Sequence, residues 1–291
     1  MLWLILISLA ILIFAVENIL DKFIVDKELK DPLLLTTVFG LVLYIFYVIF
    51  ASVSGSILLP IGLAFWGIIA GLATTAGVAL YYFVMQKEEV STFITILAIE
   101  PLVVASASFF LFQERLNILN YAGILSIIAG VILLSHEKRK TTVKNHLLAL
   151  TFLTITLFSV RNLIFKYAAN EGAGNAVFFW FGLGGLLVST ILLALHHPRI
   201  RAKARAGTKH VAIIAVLSAI GLFFFTKAIA IGSVSLTIAL FSAKPLVVLI
   251  LVVGLSSFWP KIVRERLSRL ELIKKISAAI LIVIGCALIV L

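Results

Sequence analysis

Residues 74–104, TTAGVALYYFVMQKEEVSTFITILAIEPLVV, align without a gap with residues 218–248, SAIGLFFFTKAIAIGSVSLTIALFSAKPLVV. The offset is 144 residues, Gly77 recurs as Gly221, and both stretches end in Pro-Leu-Val-Val. Apolar helices match one another easily by chance, so the aligned proline and glycine carry more weight than the aligned aliphatic residues. An internal repeat of this length predicts two structurally equivalent halves.

The rest of the chain is almost as apolar as the repeat. Of 291 residues, 63% are hydrophobic and 13% are charged, whereas a soluble protein has roughly 45–50% apolar and about 25% charged residues. Mean hydropathy is +1.22, and a membrane-spanning helix needs about 20 apolar residues. The composition therefore excludes soluble and disordered proteins and predicts an all-α integral membrane protein with ten transmembrane helices. The ten apolar runs are 2–20, 33–53, 61–85, 90–112, 117–135, 147–168, 174–195, 211–231, 233–256 and 271–291.

A basic, polar connection divides these runs into two sets of five. The connection is His136–His146, and it predicts a first five-helix repeat at 1–136 and a second at 146–291. Because five is an odd number, the second half must enter the membrane from the opposite side. The repeats are therefore predicted to be inverted (5+5), an arrangement typical of secondary transporters with a substrate site near the midplane.

Lysine and arginine are distributed very unevenly between the predicted loops. Of 24 such residues, 17 lie in the loops that follow helices 1, 3, 5, 7 and 9, and only Arg115 lies in a loop on the other side. Basic loops tend to stay in the cytoplasm, so both termini are predicted to lie outside. The same rule accounts for the net charge of +11 without a nucleic-acid partner. The predicted location is the cell membrane (inner or plasma membrane), which the chain crosses many times.

Four charged residues stand out within the apolar runs, because they are related in pairs by the same offset. Glu100 and Lys244 are 144 residues apart, as are Glu17 and Arg161, so each acid in the first half has a base at the equivalent position in the second. A charge at the centre of a membrane helix costs about 2.5–3.5 kcal/mol on insertion scales. The four are therefore predicted to meet near the midplane and line a substrate cavity. The alternative is a permanent charge pair that holds the two halves together.

Polar and aromatic residues accompany these charges. Asn18 and Asn162 are also 144 residues apart, and they are predicted either to hydrogen-bond between helices or to contact the substrate. Tyr81 and Tyr82 are predicted to supply aromatic walls of the cavity.

A proline directly follows each of two charges, Pro101 after Glu100 and Pro245 after Lys244. Proline removes a backbone donor and clashes with the carbonyl four residues earlier. Both prolines are therefore predicted to kink their helices and to open backbone polar groups to the cavity.

Several stretches of the chain resemble the EamA-type branch of the drug/metabolite transporter superfamily. This resemblance covers essentially the whole chain and implies a 5+5 inverted-repeat transporter with a central cavity lined mainly by helices 1, 3, 4, 6, 8 and 9. The stretches that carry it are Ala79-Leu80-Tyr81-Tyr82, Glu100-Pro101-Leu102, Glu114-Arg115-Leu116 and Ala129-Gly130-Val131 in the first half, and Ser242-Ala243-Lys244-Pro245-Leu246 and Glu265-Arg266-Leu267 in the second.

The predicted function is secondary active export of small metabolites by alternating access, with a proton as the coupling ion. Opposite charges in one cavity suit amino acids, related zwitterions or organic ions. The alternative is a flippase for a polar lipid or a lipid-linked sugar. No catalytic cluster, metal-ligand set or cofactor motif stands out in the sequence, so an enzyme is not predicted. The expected partners are the small-molecule substrate, the lipid bilayer and the proton, and the apolar helices 5 and 10 offer a face for a homodimer.

Overall fold

The computed structural model is built from helices. It describes residues 1–27, 31–55, 57–87, 93, 96–135, 145–258 and 269–291. Within these ranges the chain forms ten helices. They are α1 (Leu2–Lys27), α2 (Pro32–Val53), α3 (Ile61–Met85), α4 (Glu100–Phe112), α5 (Ile118–Ser135), α6 (Asn145–Asn170), α7 (Ala176–Ile231), α8 (Val234–Phe241), α9 (Lys244–Phe258) and α10 (Arg269–Val290).

Eight segments of the described chain are long and apolar enough to cross a membrane. Two further helices, α4 and α5, are apolar but shorter. The prediction of an all-α, multi-pass membrane protein is thus confirmed. The fourth predicted span, 90–112, is not one continuous helix, because α4 begins only at Glu100 after a turn.

The long helix α7 contains two predicted spans. In a straight helix the 45 residues between Phe178 and Phe223 would extend about 68 Å, yet the centroids of these two rings are 5.8 Å apart. The chain therefore reverses direction, and the apolar parts Ala176–Leu195 and Lys209–Ile231 lie antiparallel. The connection between them, predicted as a loop, has a helical backbone.

Helices of the first half pack mainly on helices of the second half. α5 packs on α10, α3 on α6 and α4 on α8, while both α1 and α2 pack on α7. A Cβ atom added to Gly221 in the second part of α7 would lie 3.0 Å from the Phe14 ring of α1, which shows how closely these two helices approach. The core of the protein is consequently the interface between the halves.

The contact between α5 and α10 uses small residues. A Cβ atom on Gly123 would lie only 2.8 Å from the carbonyl oxygen of Gly285, so the two backbones touch. The Ser126 hydroxyl donates to the carbonyl of Leu281 at 2.8 Å. The small-residue face of the helices expected to form a dimer is therefore occupied within the chain, and a homodimer through these helices would have to use outward side chains such as Ile280.

Candidate transport site

Two helix breaks face the centre of the protein. α8 ends at Phe241, a turn follows, and α9 begins at Lys244. In the first half, α4 likewise begins at Glu100 after a turn at Ala98–Ile99. Both charges thus become first residues of short helices rather than residues in the middle of long ones.

The prolines account for these breaks. Pro101 and Pro245 lie in the first turns of α4 and α9, where a helix needs no backbone donor. In the turns before them, the backbone N–H of Ile99 bonds to Ile96 at 3.1 Å and that of Ala243 to Leu240 at 3.0 Å. Where the sequence predicted kinks, the structure therefore has complete interruptions, because the helix cannot continue through a residue that both lacks a donor and clashes with the preceding turn.

Asn162 connects an acid and a base at the first break. Its side-chain amide donates to Glu100 Oε1 at 3.0 Å, and its Oδ1 accepts from Arg161 Nε at 3.0 Å. Asn162 is fully buried. Arg161 also lies over the aromatic rings of Phe158 and Phe225, 5.0 and 5.9 Å from their centroids. A guanidinium and a carboxylate are thus linked through an amide at this break.

Two acids lie one helical turn apart on α1. Glu17 and Asp21 are only 6% and 7% exposed. Glu17 Oε1 accepts a hydrogen bond from the Ser218 hydroxyl of α7, and Asp21 Oδ1 accepts from the Tyr82 hydroxyl of α3 at 3.4 Å. The second carboxylate oxygen of Glu17 is buried without a hydrogen-bond partner among the described residues.

Lys244 lies between these two groups. It is within electrostatic range of Glu17, Asp21 and Glu100, and its ammonium lies over the rings of Phe14 and Phe241 at 5.8 and 5.0 Å. The structure therefore brings the four charges related by the 144-residue offset into one region between the halves, where Glu17 is buried and the other three are half-buried.

Asp21 belongs to this region, although the sequence analysis did not select it. The first apolar run was placed at 2–20, whereas α1 continues to Lys27. The sequence did contain a signal for Asp21. Residues spaced three and four positions apart lie on one face of a helix, and this spacing places Asp21 on the same face of α1 as the buried residues before it. That face consists of Ile7, Ala10, Phe14, Glu17 and Asp21.

The other predicted side chains lie nearby. Tyr81 and Tyr82 contact each other edge to face at 5.5 Å, and Tyr81 lies 5.2 Å from Phe93. Asn18 follows Glu17 and is half-buried. Unlike Asn162, it makes no side-chain hydrogen bond that the structure shows among the described residues.

A second acid missed by the sequence analysis, Glu114, joins the halves near the N-terminal end of α1. Gln113 ends α4 in the left-handed conformation with φ of 54°, and Glu114 follows it. The Glu114 carboxylate accepts from the backbone N–H of Val234 at 2.9 Å and from both the N–H (3.3 Å) and the hydroxyl (2.8 Å) of Ser235. It also accepts from the Ser233 hydroxyl at 2.9 Å. A carboxylate at a helix N-terminus is favourable because it satisfies free N–H groups and faces the positive end of the helix dipole.

Aromatic side chains of α2 and α7 pack together in the interior. The Tyr47 ring stacks on Phe178 with centroids 5.0 Å apart, and its hydroxyl donates to the carbonyl of Ala219 at 2.6 Å. Phe181 packs edge to face on Tyr47 at 5.4 Å. The first half and the second half are therefore joined by aromatic packing and a hydrogen bond between α2 and α7.

Comparison with known proteins agrees with this architecture. Residues 1–136 match the EamA-like transporter family. A solved crystal structure of a protein superposes on the chain with a TM-score of 0.75 at 20% sequence identity, covering 98% of this chain and 94% of the other; at that identity the likeness shows a shared fold. No curated protein matches the chain. The first part of the chain, residues 1–136, is thus similar to the EamA-like transporter family, and the chain as a whole has an all-helical, multi-pass membrane fold.

Proposed function

We propose that the protein is a secondary active transporter that exports small charged metabolites across the cell membrane. In this proposal the two halves, 1–136 and 146–291, move against each other, so that the buried charged region faces each side in turn. The basic loops face the cytoplasm, as their lysine and arginine content favours. Substrates are amino acids, related zwitterions or organic ions.

One observation carries this proposal: opposite charges lie buried or half-buried between the halves, where two helices are interrupted. Apolar packing would usually stabilise a core more than a buried ion pair of similar volume. Interrupted helices at membrane depth are tolerated where they line a cavity or are covered by protein. Both features are costly for a scaffold and useful for a transporter.

The positions of the charges suggest separate roles. Arg161, held by Asn162, is suited to bind a carboxylate or phosphate, because a guanidinium presents several donors in a fixed plane. Glu17 and Glu100 are suited to hold an ammonium group or the coupling proton. A zwitterion would engage both parts of the region.

Transport into proteoliposomes tests the proposal. We expect purified protein to move at least one member of a radiolabelled panel of amino acids and organic ions, and Arg161→Gln to slow that transport at least tenfold, which corresponds to about 1.4 kcal/mol. Arg115→Gln is the matched control, since Arg115 is exposed in the connection after α4. Transport by the Arg161 variant at the unmodified rate would overturn the proposed role of this residue.

The coupling ion needs its own measurement. An imposed proton gradient should accelerate transport by the unmodified protein, and Glu100→Gln should remove that acceleration while substrate exchange at equal pH continues. If instead a fluorescent polar lipid crosses the bilayer and no soluble compound of the panel does, the protein is a flippase and the proposal is wrong.

A further inference from the structure

The buried charges at the interface between the halves do not balance. Among the described side chains, the region contains three carboxylates, Glu17, Asp21 and Glu100, but only two cations, Arg161 and Lys244. Counted as ionised, these described side chains carry one net negative charge. An unpaired charge in such an environment is costly unless a ligand or a proton neutralises it.

Two further cations within the helices lie elsewhere. Lys166 donates to the carbonyls of Ile229 and Gly232 at 3.3 and 2.7 Å, at the end of the second part of α7. Lys227 lies 5.7 Å from the centroid of the Phe223 ring and is half-buried. Neither side chain neutralises the acids of α1.

Among the described side chains, this net negative charge lies nearest to Glu17 and Asp21. Glu100 already accepts from Asn162 and has both Arg161 and Lys244 within electrostatic range. Among the side chains that the structure describes, Lys244 is the cation within electrostatic range of both acids of α1. The buried Oε2 of Glu17 has no hydrogen-bond partner among the described residues, so a ready acceptor is present where positive charge is lacking.

We propose that Glu17 and Asp21 form a subsite for one primary ammonium group, and that Asp21 is a specificity-determining residue of the transporter. Side chains four residues apart on a helix are neighbours, with Cβ atoms roughly 5–6 Å apart, and an ammonium can donate three hydrogen bonds. It can therefore engage Glu17 Oε2 and the Asp21 carboxylate together. The aromatic rings of Phe14, Tyr81 and Tyr82 border the subsite and favour a cation.

This inference rests on the proposed function and narrows its substrate class. A zwitterion has no net charge and would leave the region with its net negative charge. An organic amine with one net positive charge would neutralise this negative charge. The subsite therefore favours cationic amines over both zwitterions and neutral analogues.

The test is equilibrium binding to the purified full-length protein in lipid nanodiscs at constant pH. The probe is n-butylammonium, and n-butanol is its uncharged analogue of the same chain length. We expect saturable binding of butylammonium, no binding of butanol at equal concentration, and at least tenfold weaker amine binding for Asp21→Asn and for Glu17→Gln. Asp31→Asn is the matched control, because Asp31 caps α2 through the N–H groups of Leu33 and Leu34 and asparagine caps a helix as well.

A third variant separates loss of the subsite from loss of the fold. Asp21→Glu keeps the charge, and we expect it to retain binding within a few-fold even if Asp21→Asn is unstable. Butylammonium binding by Asp21→Asn at the unmodified affinity, or equal binding of butanol, would overturn the proposal. So would displacement of bound amine by sodium chloride but not by choline chloride, since the pair would then be a sodium site.

The binding test distinguishes failure of the proposed subsite from failure of the proposed transport function. If the unmodified protein transports a compound of the panel but does not bind butylammonium, the subsite is wrong and the transporter stands. If it binds butylammonium as described but transports nothing, the subsite stands and the transport proposal fails.

Discussion

Replacing Glu114 by glutamine should destabilise the protein, because this carboxylate satisfies several donors of the other half. Its oxygens accept from the N–H of Val234 and from the N–H and hydroxyl of Ser235 at 2.8–3.3 Å. Glutamine has nearly the same shape, but one oxygen becomes an NH₂ group. The serine hydroxyls can rotate and accept from it, whereas a backbone N–H cannot, so one buried backbone donor is left without an acceptor.

The size of the effect follows from two losses. An unsatisfied backbone donor costs about 1–3 kcal/mol, and removal of a negative charge from a helix N-terminus costs roughly 0.3–1 kcal/mol. Together they predict that Glu114→Gln lowers the free energy of unfolding by about 1.5–4 kcal/mol. Glu114→Asp keeps the charge but shortens the side chain, so its effect should be smaller.

Reversible unfolding in mixed micelles, followed by tryptophan fluorescence, measures this change. Glu171→Gln is the matched control, because Glu171 is exposed in the short connection after α6 and carries the same charge. It should leave the free energy of unfolding within about 0.5 kcal/mol of the unmodified value, as exposed substitutions usually do.

A double-mutant cycle with Ser235→Ala tests the assignment of the contact. The two substitutions should be less than additive, because each removes part of the same hydrogen-bond set. If Glu114→Gln unfolds like Glu171→Gln, or if the two effects simply add, the carboxylate does not hold α8 in the way described and the reasoning fails.

Two packing substitutions provide further tests by the same unfolding measurement. Gly71→Ala should destabilise by about 1–3 kcal/mol, since its Cβ would lie 2.6 Å from the backbone nitrogen of Gly185, while Gly62→Ala, where a Cβ meets open space, should have little effect. Tyr47→Phe should cost about 1 kcal/mol through loss of the 2.6 Å hydrogen bond between α2 and α7, and the more exposed Tyr121→Phe should be close to neutral. Equal effects within either pair would contradict the packing described here.

The membrane-spanning helices were predictable because the bilayer imposes a simple rule. A segment that crosses it must satisfy its backbone internally and present apolar side chains, so hydropathy alone located the eight long spans. The four charges were predictable for the same reason, since they are exceptions to that rule. What hydropathy could not show is how helices end inside the protein.

Asp21 illustrates this limit. A polar residue at the edge of an apolar run is typical of the beginning of a loop, so the sequence analysis placed Asp21 in a loop. In the structure α1 continues to Lys27, and Asp21 packs against Tyr82 of α3. The role of Asn162 could not be predicted from the sequence either. Its hydrogen bonds to Arg161 and Glu100 depend on how α6 and α4 pack against each other.

The charge of the candidate site depends on positions at which the two halves differ. Tyr81 and Phe225 are equivalent under the 144-residue offset, and Tyr81 lies near Glu17 just as Phe225 lies near Arg161. Asp21, however, corresponds to Phe165, which packs on other aromatic rings in the closed part of the interior. An acid and a base at positions 21 and 165, like those at 17 and 161 and at 100 and 244, would have cancelled each other's charge. Phe165 contributes no cation, so Asp21 has no such counterpart in the second half, which supports the proposal of a positively charged ligand.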